Sequence, residues 1–112
     1  MTETALSDQL IFLCALADIP ENRGLRISIP DYKPVAVFKH DDGVAVVDDR
    51  CTHGNASLCD GEVDGRDIEC PLHAGSFDLV TGEPTSAPCT IPLRVYKTRI
   101  SGDKLYMVPD NV

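Results

Sequence analysis

Cys51-Thr52-His53 and Cys70-Pro71-Leu72-His73 bring a thiol and an imidazole close together twice, with sixteen residues between the two segments. Thiolate and neutral imidazole are donors for zinc, copper and iron. Together the segments offer two sulfurs and two nitrogens, enough for a four-ligand site. Zinc accepts a Cys2His2 set in a closed tetrahedron, but structural zinc sites favour paired ligands separated by two to four residues, and only Thr52 stands between Cys51 and His53. A cluster of two irons and two sulfides fits better. Each segment gives one thiolate and one imidazole, so two loops can clamp a two-iron cluster, for which one iron on both sulfurs and the other on both nitrogens is a known arrangement.

Such ligands need loops mounted on a rigid scaffold. Turn signals are dense and helical periodicity is weak, which predicts a mostly β chain. Strands are expected at 10–14, 24–29, 34–39 and 44–47, then 62–63, 67–70, 93–100 and 104–108. Leu25, Ile27 and Ile29 alternate with Arg26 and Ser28, as a half-buried strand requires. Asp41-Asp42-Gly43, Asp64-Gly65, Thr81-Gly82 and Ser101-Gly102-Asp103 mark turns. A short helix is expected near 15–21, and residues 1–8 read as a polar, frayed start. Many short strands with regular turns suggest a sandwich or barrel. Both ligand segments then fall in loops that follow strands, inside a stretch that looks inserted between the flanking ones.

A chain of 112 residues is expected to form one domain. Its formal net charge of −8 argues against nucleic acid, which demands a basic face. Acidity suits docking onto basic protein patches, or simply keeps the protein soluble. Asp60, Glu62, Asp64 and Asp67 form an acidic stretch between the two segments that serves one of these ends. The apolar run at 10–17 is far too short to cross a membrane, and Glu3 and Asp8 precede it where a secretory leader carries Lys or Arg, so a cytoplasmic location is expected. The chain has no phosphate-binding glycine loop, nucleotide fingerprint or nucleophile–base pair. It is therefore expected to turn over no substrate alone. Cys14, Cys59 and Cys89 read as small buried hydrophobes or spectators, and His40 as a surface histidine. Pro71 shapes its loop, and Gly54 and Gly75 allow close backbone approach to a bound group.

Cys51-Thr52-His53-Gly54-Asn55-Ala56 and Cys70-Pro71-Leu72-His73-Ala74-Gly75-Ser76-Phe77 resemble the two cluster loops of Rieske-type ferredoxins. Ferredoxins serving bacterial aromatic-ring-hydroxylating dioxygenases are the most similar. The resemblance runs from about residue 12 to 108 and includes Ala87-Pro88-Cys89, in the place of the proline loop that covers the cluster in that family. It implies an all-β Rieske fold: an antiparallel sandwich or barrel-like base with a small inserted cluster-binding subdomain at about 49–90, within one domain of 1–112. It implies one [2Fe–2S] cluster per chain, with Cys51 and Cys70 on the buried iron and His53 and His73 on the outer one. It also implies a route in which a flavin-dependent ferredoxin reductase passes electrons from NADH, one at a time, to this cluster and on to a terminal oxygenase. A small subunit of another reductase, such as nitrite reductase, and a structural zinc module are the alternatives.

Two ferric ions, two sulfides and two thiolates sum to zero charge, whereas an all-cysteine cluster is a dianion, so histidine ligation makes reduction easier. Rieske centres span roughly −150 to +300 mV. High-potential members carry a disulfide between the loops and hydroxyls that bond to cluster sulfur. The matching positions here are Ala56 and Leu72 for the bridge, and Gly75 and Phe77 for the hydroxyls, with Ser76 one residue out of place. A potential near the low end is expected.

Overall fold

The structure is a computed structural model that describes residues 10–52, 54–72 and 75–109. The frayed start and two of the four expected ligands, His53 and His73, lie outside the described residues. The strands in chain order are β1 (Ile11–Ala15), β2 (Leu25–Ile27), β3 (Val35–His40), β4 (Gly43–Asp48), β5 (Val63–Asp64) and β6 (Asp67–Glu69). They continue with β7 (Ser76–Asp78), β8 (Pro84–Ser86), β9 (Val95–Tyr96), β10 (Thr98–Ser101) and β11 (Lys104–Met107). They form three antiparallel sheets, ordered β1-β11-β10, β2-β3-β4-β9 and β5-β6-β7-β8.

The hairpins close where the turn chemistry places them. β3 and β4 pair from Val35 with Asp48 to His40 with Gly43, around Asp41-Asp42. The amide of Asp42 donates to His40 Nδ1 at 3.1 Å, which holds that imidazole at the hairpin end. Gly65 and Gly102 sit at φ of 66° and 63° in two further tight turns, a backbone region that costs an L side chain about 1–2 kcal/mol.

The middle sheet is buried on both faces. Val35, Val37 and Val46 point into one core with Leu105, Met107 and Tyr96. Ala36, Phe38, Ala45 and Val47 point into a second, with Leu58, Ile68, Phe77 and Leu79. This explains why 35–38 reads as an unbroken apolar run rather than an alternation: a strand covered on both faces has no polar side. The first sheet and the middle sheet make the sandwich base. The third sheet and the loops bearing Cys51 and Cys70 pack on the other face of the middle sheet, through the second core.

Three expectations are corrected. The helix expected near 15–21 is only a 3-10 turn, Leu16–Asp18. Pro20 disfavours helical backbone at Ile19, which is extended at φ −82° and ψ 121°. The single strand expected at 93–100 is two strands on different sheets: β9 pairs with β4 and β10 with β11, and the chain changes sheet at Lys97. The carbonyl of Lys97 accepts the amide of Val108 at 2.9 Å across that corner. Finally, β7 and β8 were not expected as strands. They are three residues each, too short to show a period, and pairing with β6 and with each other creates them.

Candidate metal centre

Cys51 and Cys70 stand in loops just beyond the ends of β4 and β6, and the two loops close in the same way. The amide of Cys51 donates to the carbonyl of Ala56 at 3.0 Å, and the amide of Cys70 donates to that of Gly75 at 2.7 Å. Each bond spans five residues and encloses the position of the expected histidine. The loops meet: a Cβ added to Gly54 would lie 3.3 Å from Leu72 Cδ1. Cys51 is 2% and Cys70 1% exposed, and both belong to the core that holds Phe77, Leu79 and Cys89.

The first loop hangs on Asp49, the one buried charged side chain among the described residues. Its carboxylate accepts from the Ser57 hydroxyl at 2.8 Å and the Cys59 amide at 3.2 Å, and pairs with Arg26 Nε at 3.4 Å. Its carbonyl accepts the Leu58 amide at 2.7 Å. A buried carboxylate is tolerated only with such partners. Here they tie the start and end of the loop together. Sequence reading missed Asp49; the signal was an acid two residues before the first expected ligand with a Ser–Leu–Cys run after the loop, which is too weak to act on alone. The Thr52 hydroxyl fastens the same loop to the carbonyl of Ile91 at 2.7 Å.

The second loop is gripped by the β6–β7 pairing of Glu69 with Ser76 and covered by the proline loop. A Cβ on Gly75 would sit 2.5 Å from Cys89 Sγ and 3.1 Å from Pro88 Cδ, so only glycine lets these segments touch. Ser76 turns away and shares a hydrogen bond of 2.7 Å with Thr85, while Phe77 is wholly buried. Cys89, 4% exposed, lies in the same core as Cys51 and Cys70. Burial, followed by the neighbouring Cys51, pushes its thiol up to about 11. Cys14 lies in the other core, and Cys59 is a half-buried residue packed against this one. Burial and then Asp49 raise the Cys59 thiol far above its ordinary range.

The residues present fit a thiolate-held iron–sulfur group. Two soft donors arrive from two loops, enclosed by apolar side chains, with a glycine where any Cβ would obstruct the approach. Of the acidic stretch, Asp60, Glu62 and Asp64 are exposed. Glu62, Asp64, Asp67 and Glu69 line a groove beside the second loop. Arg26, Lys33 and Arg50, together with Asp48 and Asp49, line a separate cavity of about 670 Å³ that reaches Cys51 and Thr52.

A family model described as the Rieske [2Fe-2S] domain matches residues 9–97. The chain belongs to the Rieske [2Fe–2S] domain family. This Rieske domain is 39% identical over 95 residues to the ferredoxin CarAc of Metapseudomonas resinovorans, covering 85% of this chain and 89% of that one. It is 41% identical over 99 residues to the 3-phenylpropionate/cinnamic acid dioxygenase ferredoxin subunit of Escherichia coli (strain K12), covering 87% and 91%. Among solved structures it matches the ferredoxin in a complex of reduced oxygenase and oxidized ferredoxin of carbazole 1,9a-dioxygenase. That match has a TM-score of 0.82 and 37% identity, and covers 89% of this chain and 93% of that one. The all-β Rieske fold and the [2Fe–2S] cofactor follow from family membership. No helix among the described residues is long and apolar enough to cross a membrane.

Proposed function

We propose that this Rieske protein is the ferredoxin of a multicomponent oxygenase, carrying single electrons from an NADH-dependent flavin reductase to a terminal aromatic-ring-hydroxylating oxygenase. The twin loop closure carries the reading: two buried cysteines are presented by loops of the same design that meet at one end of the second core. The relatives at 39% and 41% identity support it, since both are ferredoxins and the second is a dioxygenase ferredoxin subunit. They favour it over a small subunit of another reductase. Cys51 and Cys70 would hold one iron, and His53 and His73 the other. When bound, the cluster takes up one electron and gives it back. The chain's own work is to bury the two sulfurs and fasten the loops through Asp49 and Thr52.

The unit is one domain of 1–112, with about 49–90 as the cluster-binding part, a reading supported by the two cysteine loops, the proline loop and the third sheet within that range. It works in the cytoplasm, without nucleic acid. Partners dock over the loop tips, guided by the acidic groove at Glu62, Asp64, Asp67 and Glu69 and by Arg26, Lys33 and Arg50. Such contacts are transient and weaken with salt. Gly75 and Phe77 offer no hydroxyl, and Ser76 is engaged with Thr85, so the potential lies near the low end, roughly −150 mV.

Protein-film voltammetry from pH 6 to 11 tests the cluster. One reversible one-electron wave near that value, falling at alkaline pH as imidazole deprotonates, is expected. A wave well above zero overturns the low-potential reading, and a colourless, redox-silent protein overturns the ligand set. For the route, the reduced protein is mixed with an aromatic-ring oxygenase, oxygen and substrate. Reoxidation coupled to product formation is expected; no transfer to any such oxygenase, with efficient transfer to another reductase, reverses the assignment.

A further inference from the structure

Cys89 has no part in the ligand set, yet it is held at the buried side of the site. The proline loop delivers it: the Cys89 amide donates to the Ser86 carbonyl at 3.3 Å, closing a turn through Ala87-Pro88. The absent side chain of Gly75 makes room for its sulfur. There its thiol lies buried in one apolar core with Cys51 and Cys70, the two expected sulfur ligands. A thiolate bound to iron has no proton to give, so a hydrogen bond between the sulfurs of Cys89 and Cys51 runs one way: Cys89 S–H donates and Cys51 sulfur accepts. Reduction adds negative charge to the cluster and its sulfurs, so a donor aimed at one of them stabilises the reduced state more than the oxidised one.

We infer that Cys89 is a potential-tuning residue, whose thiol donates to the Cys51 sulfur and raises the reduction potential of the cluster above what the bare loops would set. This rests on Cys51 being a ligand, as proposed above. It deepens that reading by placing a side-chain donor at the buried sulfur, in a chain whose second loop has Gly75 and Phe77 where hydroxyl donors stand in high-potential relatives. The thiol is a weak donor, so its effect is smaller than that of a hydroxyl and compatible with a potential near the low end. The competing view is that Cys89 merely fills space as a small hydrophobe.

The two views separate in a comparison of loaded wild type, Cys89→Val and Cys89→Ser. Tuning predicts a lower potential in Cys89→Val by protein-film voltammetry, and a potential at or above wild type in Cys89→Ser. It also predicts that electron–nuclear double resonance of the reduced protein shows an exchangeable proton coupling in wild type and Cys89→Ser that Cys89→Val lacks. One shared potential for all three proteins overturns the inference, as does a Cys89→Ser potential as low as that of Cys89→Val. Should Cys89→Val load no cluster, Cys89→Ala removes the thiol without adding volume and is read in the same way. A wild-type-like cluster in Cys51→Ala would instead overturn the ligand assignment itself, so the two failures are distinct.

Discussion

The Ser57 hydroxyl donates to the Asp49 carboxylate at 2.8 Å, bridging the two ends of the loop that carries Cys51. The same oxygen accepts the Cys59 amide, and Arg26 approaches the other one from outside. One buried carboxylate thus sets the loop's closure, and the first prediction concerns its removal.

Asp49→Ala leaves the Cys59 amide and the Ser57 hydroxyl without their acceptor. A buried donor left unsatisfied costs about 1–3 kcal/mol, so thermal unfolding should move to clearly lower temperature. The cluster's visible absorbance should also bleach faster on incubation with a chelator. Asp49→Asn keeps one acceptor oxygen and should fall between. Equal chelator lability in all three proteins would show that the carboxylate does not secure the loop.

Gly61 ends the 3-10 turn Leu58–Asp60, and a Cβ there would run into the carbonyl of Glu69, just before Cys70. That obstacle is backbone and cannot rotate away. Gly61→Ala should lose at least the 1–3 kcal/mol typical of overpacking, in chemical denaturation. Gly102→Ala is the control. Nothing lies within 4 Å of its added Cβ, and only the strain of φ 63° applies, about 1–2 kcal/mol. A smaller loss for Gly61→Ala than for Gly102→Ala would contradict the packing seen between the two loops.

At acid pH the group to watch is Asp78. Its carboxylate accepts from Arg66 at 2.7 Å and from the amides of Val80 and Thr81 at 2.7 and 3.1 Å. Arg66 foremost, then those amides, hold its carboxyl below the ordinary carboxylate range. A lowered folded pKa gives stability that is present above the unfolded value, about 3.9, and lost as pH falls through the folded one. Asp78→Asn should therefore melt below wild type at neutral pH and approach it below pH ~4. A constant gap across that range would remove Asp78 from the acid transition.

The alkaline limb belongs in part to Tyr96, 7% exposed, whose hydroxyl donates to Asp48 Oδ1 at 2.6 Å. Burial, then that bond, push the phenol up from its ordinary 10 to about 12. A raised folded pKa gives stability that is whole below the unfolded value and lost as pH rises through the folded one. The loss falls between pH about 10 and 12. Melting temperature followed across that window should drop less steeply in Tyr96→Phe. An identical slope would pass the transition to other groups, beginning with Cys59.

Ligand types, their spacing and the turns were legible in the sequence because they depend on chemistry close along the chain. Cys-x-His and Cys-x-x-His propose their donors without reference to the fold, and Gly65 and Gly102 mark turns because only local backbone geometry is at stake. The hairpin from β3 to β4 follows for the same reason. Tertiary structure alone decided which segments meet. The change of sheet at Lys97 has no local mark, since both halves of 93–100 read as strand and only the position of β4 and β11 divides them. β7 and β8 exist through pairing, and Ser76 takes Thr85 as its partner because those strands lie side by side. Asp49 and Cys89 looked like an ordinary acid and a spare thiol. Their roles arise from packing across gaps in sequence, which no window of a few residues contains, because burial is a property of everything that folds around a side chain.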